Sequence, residues 1–157
     1  MNLEPHKIFD VLSNNNVPYV VIGGHAVNYY GYIRATEDFD IIFHRTEESE
    51  KLLFKALSAL NAYWITNEID HSTGLEKTKK VNFSYISSNH LMMLGTDYGY
   101  LDIFDFIPGF ENENVEILLK EANSHNNINF ISFEWLKKIK KQSNRPKDLL
   151  DLENLEK

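Results

Sequence analysis

One mixed α/β domain, a sheet flanked by helices, is the fold the sequence predicts, and three observations predict it. Residues 17–22 (VPYVVI) are a continuous apolar, β-branched run of the kind a fully buried strand carries. Leu52, Leu53, Ala56, Leu57 and Leu60 recur at helical spacing just after it. Residues 62–107 are then rich in strand formers broken by turn signals, with helical patterns returning beyond them.

Each element has its own warrant. Leu3, Ile8, Val11 and Leu12 stand at near-helical spacing in residues 3–14, and the SNNN that follows ends that helix. Gly23-Gly24 breaks the strand at 17–22, and HAVNYYGY reads as a short helix capped by Gly31. In RATEDFDIIF, Asp38, Asp40 and Ile42 share one strand face, and Phe39, Ile41 and Phe43 the other. Thr46 opens a helix running to Asn61, with Glu47, Glu48 and Glu50 at its positive end. Strands are expected near 62–67, 80–86, 91–95 and 99–107, with turns at 87–89 and 96–99, and Pro108-Gly109 closes the last. A helix near 113–121, a strand near 128–131 and helices at 133–141 and 146–155 complete the chain. Pro146 suits a first helical turn, with Asn144 or Arg145 as its cap. No repeat or linker-like stretch interrupts residues 1–157, which read as one domain with a core at about 17–110 and a helical segment at about 132–157.

Composition narrows the function. Hydrophobic residues at 43% and charged residues at 25% exclude wholesale disorder. The absence of cysteine excludes disulfide frameworks, thiolate zinc sites and cysteine nucleophiles. The six histidines show no metal-binding spacing, and neither G-x-S-x-G nor a Walker A sequence occurs. No window approaches 18 apolar residues, and MNLEPHKIFDVL lacks a signal core, so the expectation is a soluble cytoplasmic protein without a membrane partner. The net charge of −7 carries no global basic footprint for nucleic acid. Yet residues 137–147 (KKIKKQSNRPK) hold six Lys/Arg and no acid, leaving −13 on the remainder. Such a segment reads either as a local anion site, with Lys138, Lys141, Arg145 and Lys147 as candidates for nucleotide phosphates or RNA, or as a solvated helix face.

The chemistry centres on Asp38 and Asp40. At i and i+2 of a strand their carboxylates project from one face, about 6–7 Å apart along the chain. Unpaired, they would repel and lose hydration; a divalent cation such as Mg²⁺, which takes one or two carboxylates plus waters and phosphates, removes that cost. Upstream, Gly23-Gly24 at a strand-to-helix turn lets the backbone approach a phosphate. A third carboxylate lies in YLDIFDFIPG, where Asp102 and Asp105 fall on opposite faces and only one can join the pair. His25 beside the turn is read as a structural residue or a site-lining one, and Tyr29, Tyr30 and Tyr32 as core or as stacking platforms for a base.

The run IGGHAVNYYGYIRATEDFDI resembles the signature of the nucleotidyltransferase fold of the DNA polymerase β superfamily: apolar-Gly-Gly/Ser, nine to thirteen residues, then Asp-apolar-Asp/Glu-apolar. Ile22-Gly23-Gly24 and Asp38-Phe39-Asp40-Ile41 fill those positions at the upper limit of the spacing. Leu101-Asp102-Ile103 matches the third element, and the approach to Pro108-Gly109 favours Asp102 over Asp105. SFEWLKKIKKQSNRPKDLLDLENL resembles the basic helix and Arg-x-Lys-Asp-Leu closing segment of small bacterial nucleotidyltransferase-like proteins, including toxin-type members. The first turn departs from the Gly-Ser-Arg-Ala-Arg-Gly of the minimal branch paired with small helical partners. The resemblance implies Mg²⁺ (or Mn²⁺) on Asp38, Asp40 and Asp102, and an NTP such as ATP with its phosphates at Gly23 and Gly24. It implies Arg34, Thr36, Lys141, Arg145 and Lys147 as further nucleotide-binding residues. The acceptor is left open among tRNA, a protein and a small molecule. The alternative it implies is an inactive nucleotide- or partner-binding half of a toxin–antitoxin pair.

Overall fold

Apolar residues on both faces drive Tyr19–Ile22 into the middle of the structure, where all four are buried. The computed structural model describes residues 5–157; Leu3, assigned above to the first helix, lies outside the described residues. Chain order runs α1 (Pro5–Asn14), β1 (Tyr19–Ile22), α2 (Gly23–Tyr29), β2 (Asp38–Phe43), α3 (Glu47–Ala59), β3 (Tyr63–Ile69), β4 (Glu76–Lys80), α4 (Phe83–Ser88), β5 (Leu91–Thr96), β6 (Gly99–Phe104), α5 (Glu116–Lys120), β7 (Asn123–His125), β8 (Ile128–Phe130), α6 (Phe133–Ser143) and α7 (Pro146–Leu155). The strands form one sheet in the order β4-β3-β5-β6-β2-β1-β8-β7. The pairs β2–β6 and β1–β8 are parallel and the others antiparallel, so the sheet is mixed.

Period-2 alternation in β2 does the positioning. Phe39, Ile41 and Phe43 are at most 1% exposed, and Phe9 of α1 meets Phe39 edge-on at 5.6 Å between ring centres. The opposite face of β2 carries Asp38, Asp40 and the buried Ile42. Thr46 caps α3 as expected, its hydroxyl accepting from the Ser49 amide while Ser49 accepts from the Thr46 amide. Among the described residues no helix is long and apolar enough to cross a membrane.

Several boundaries differ from the sequence reading. The strand expected near 80–86 is instead β4 at Glu76–Lys80 followed by helix α4, because the Asn82 side chain accepts from the Tyr85 amide and starts a helical turn. β4 is exposed throughout and carries no apolar residue, so its backbone pairing with β3 forms it without any alternation to announce it. β7 was not anticipated. Asn126 and Asn127 both hold positive φ (50° and 64°), the conformation of a two-residue hairpin turn. The strand expected at 99–107 stops at Phe104, and the helix expected at 113–121 contracts to Glu116–Lys120. At the α6–α7 junction Asn144 ends α6 in the left-handed region, while Arg145 is the N-cap of α7.

Candidate active site

The parallel pairing of β2 with β6 sets Asp40 directly opposite Asp102. Paired residues point to the same face of a sheet, so the two carboxyls stand side by side, with Asp38 two residues before Asp40. All three line one cavity of about 430 Å³. Its other walls include Gly23 from the start of α2, Pro108 and Gly109 beyond β6, and Lys140, Arg145 and Lys147 from α6 and α7. Asp105 turns elsewhere: it accepts from Arg45 Nε at 2.7 Å and lies 2.7 Å from His90 Nδ1. The choice left open between Asp102 and Asp105 thus has a geometric answer, since only Asp102 shares the cavity with the Asp38/Asp40 pair.

Burial pushes the Asp40 carboxyl up to about 7, and the neighbouring Asp102 and Asp38 push it the same way. Burial and Asp38 likewise raise Asp102. Asp40 stands beside Asp102 across the β2–β6 pairing, so the proton that the raised Asp40 carboxyl holds can be donated to the Asp102 carboxylate. Neighbouring carboxylate oxygens that repel one another are the donor set a small hard divalent cation takes. Among the described residues no group of three or more His, Asp or Glu side chains is arranged to hold a metal ion. A cation on these aspartates would take further ligands from water and substrate phosphate, as Mg²⁺ and Mn²⁺ do. Asp38, Asp40 and Asp102 are the residues that would hold it.

The two glycines act through packing. Gly23 has φ +67°, and a Cβ there would run into the Asp40 carboxyl. A Cβ on Gly24 would come within 2.6 Å of Thr36 Oγ1. The turn therefore lets α2 begin hard against the acidic strand. Ile22, the N-cap, offers no side-chain hydrogen bond, so side chains leave the first-turn amides of α2 unclaimed.

Behind the cavity runs a chain of ion pairs. Lys140 is 6% exposed and lies 3.2 Å from Asp148 and 2.9 Å from Asp151, each 1% exposed. Arg34 grips Asp151 with two hydrogen bonds of 2.9 and 3.1 Å, and Arg145 donates to Asp148 at 2.8 Å. Burial would raise the Asp148 carboxyl, but hydrogen bonds from Arg145 and Ser143 and the charge of Lys140 hold it well below the usual carboxylate range.

The nucleotide-binding candidates thus separate. Gly23, Arg145 and Lys147 line the cavity with the three aspartates; Gly24, Arg34, Thr36 and Lys141 do not. Arg34 pairs with Asp151. Lys138 rests over the Trp135 ring. Lys140, Gln142, Ser143 and Asp148 are the polar lining residues that sequence reasoning missed. His25 stacks on Phe39 at 4.5 Å, and burial, followed by Arg34, lowers it to about 4, which keeps it neutral. Tyr29 stacks on Phe130, and Tyr30 donates to the Ile131 carbonyl, so both serve packing.

No family model and no curated protein matches the sequence. Solved structures do resemble it. The lincosamide antibiotic adenylyltransferase LnuA, bound to lincomycin, superposes with a TM-score of 0.61 at 18% identity, covering 99% of this chain and 98% of its own. The antibiotic-resistance factor ANT(2'')-Ia gives 0.56 at 14% identity, covering 96% of this chain and 78% of that one. An antigenic nucleotidyltransferase-like protein from Paracoccidioides brasiliensis gives 0.50 at 17% identity, covering 99% and 78%. The chain has the nucleotidyltransferase fold.

Proposed function

We propose that the protein is a metal-dependent nucleotidyltransferase that moves an NMP from an NTP to a hydroxyl group. The observation that carries this reading is the meeting of Asp38, Asp40 and Asp102 in a cavity whose opposite wall holds Lys140, Arg145 and Lys147. Asp148, on the same wall, pairs with Lys140 and Arg145 and holds them in place, and Lys147 adds a further positive charge facing the aspartates, an arrangement that matches a triphosphate and its counter-ion. Two of the similar structures belong to proteins described as an antibiotic adenylyltransferase and an antibiotic-resistance factor, which supports a small-molecule acceptor over a macromolecular one.

Within this reading Asp38, Asp40 and Asp102 bind the cation, which when present neutralises charge on the phosphates and on the attacking oxygen. Lys147 and Arg145 bind the phosphates, and the backbone at Gly23, where α2 begins, orients them. Asp102, the third carboxylate, accepts the proton of the acceptor hydroxyl. The hydroxyl oxygen bonds the α-phosphorus, the bond to the leaving pyrophosphate breaks, and the protein's contribution is mainly positioning.

The test is incubation of the protein with each α-³²P-labelled NTP, Mg²⁺ and, in parallel, a small-molecule extract and total tRNA. Label should move to an acceptor, and Asp40→Asn should abolish the transfer while leaving the circular dichroism spectrum unchanged. Equal transfer by the variant would remove the proposed mechanism.

A further inference from the structure

Two cavities meet at the carboxylates, and their walls differ in kind. The larger one carries the cations. The second, about 210 Å³, is lined by Asp38, Asp102, Ile65, Met93, Leu94, Gly95 and Tyr100, with no lysine or arginine. Asp40 lines only the first cavity; Asp38 and Asp102 form the wall common to both.

The second cavity is built on the outward face of the sheet beyond β6. Met93 pairs opposite Asp102, Gly95 opposite Tyr100, and Tyr63 opposite Gly95, so these side chains share the face of Asp102. Met93 is 65% exposed, Ile65 50% and Tyr100 47%. Isolated exposed apolar residues need no explanation, but a continuous apolar floor running up to an acidic centre does. Gly95 belongs to that floor: a Cβ there would collide with the Tyr63 ring, so the glycine lets the ring lie across the strand.

We propose that this second cavity is the acceptor subsite, and that the acceptor is an uncharged small molecule carrying its hydroxyl on an apolar body. The proposal rests on the nucleotidyl-transfer reading and adds to it where the acceptor lies and what it is. A hydroxyl in this cavity lies against Asp102, which lines the phosphate cavity as well, so its oxygen can attack the α-phosphorus while pyrophosphate leaves into the cavity that Lys147 lines. Its proton passes to Asp102. The apolar body covers Met93, Ile65 and Tyr100. A polyanionic acceptor such as tRNA would find no lysine or arginine in this cavity to pair with its phosphates.

Two measurements test this. The first is a titration of the wild-type protein, labelled at its methionine methyl groups, with 2-phenylethanol, followed by NMR. The Met93 resonance should shift saturably while that of the buried Met92 stays in place; no Met93 shift overturns the proposal. The second compares labelled-nucleotide transfer to 2-phenylethanol and to total tRNA by wild type and by a Met93→Ser/Ile65→Ser variant, which leaves the charge beside Asp102 unchanged. The variant should need at least tenfold more alcohol for half-saturation, with ATP binding altered less than twofold. Preferential labelling of tRNA, or an unchanged half-saturation in the variant, overturns the subsite and leaves the transfer reading standing. Failure of the wild type to bind any NTP overturns the transfer reading, and the acceptor role with it, even where Met93 shifts. Light scattering that shows a wild-type dimer and a variant monomer would assign the face to a second copy of the chain and overturn the proposal.

Discussion

Replacing Asp40 by asparagine should make the metal-free protein more stable and inactive at once. A carboxyl moved from 3.8 to about 7 holds its ionised form at a cost of up to about 4 kcal/mol. Asp102 and Asp38 share that cost, so about 2 kcal/mol is the working figure for Asp40 alone. The asparagine amide can donate to Asp102 as the protonated Asp40 does, so the packing survives. The pH dependence has a definite sign. The folded-state value is raised, so in the wild type the contribution of the neutral carboxyl is full below about pH 4 and is lost as pH rises through about 7. The variant does not titrate there. Its advantage should be absent near pH 4, open between pH 4 and 7, and level off above, at about 4–8 °C in Tm for a chain of this length. Thermal melts in EDTA from pH 4 to 8.5 measure it. Melting temperatures that coincide at pH 8, or a gap as wide at pH 4 as at pH 8, would refute the electrostatic account of the site.

The other predictions are shorter. Mg²⁺ affinity should rise as pH increases through about 7, because the cation displaces the proton held by Asp40; calorimetry in two buffers of different ionisation enthalpy should record proton release at pH 6 that vanishes by pH 8.5. Lys140→Met should lower unfolding free energy by about 1–3 kcal/mol, read from urea midpoints, since Asp148 and Asp151 lose the cation they share and keep only Arg145 and Arg34. Lys147→Gln should weaken ATP binding several-fold at low salt and less at high salt, whereas Lys141→Gln, outside the cavity, should leave it unchanged in the same fluorescence titration. Gly23→Ala should abolish nucleotide transfer and destabilise by about 1–3 kcal/mol, because the new methyl group occupies the place of the Asp40 carboxyl at a positive φ.

The acidic half of the site was legible because its residues contradict their surroundings. Two aspartates in an apolar strand, and two glycines where a strand ends, are local signals that need no knowledge of the rest of the chain. The cationic half was harder to read. Lys140 sits in KKIKK and looks like one more solvated charge. Its position four residues after the buried Leu136 puts it on the inward face of α6, and Asp148 and Asp151 each precede a buried leucine of α7 by four residues. Those spacings were available, but pairing them requires knowing that α6 and α7 pack together. The β7 hairpin was announced by Asn126-Asn127, a pair suited to positive φ. The second cavity was invisible to sequence reading, because Met93 and Ile65 are ordinary strand residues until the β5–β6 pairing shows which face they share with Asp102.

The ion-pair chain from Arg34 through Asp151 and Lys140 to Asp148 and Arg145 also makes one wall of the cavity depend on the docking of α7. Its acidic members lie in α7, more than 100 residues after Arg34. With α7 undocked, Lys140 and Arg34 lack their counter-charges, while Asp38, Asp40 and Asp102 keep their places in the sheet. Loosening the last helix therefore opens the wall that carries Arg145 and Lys147 without moving the aspartates.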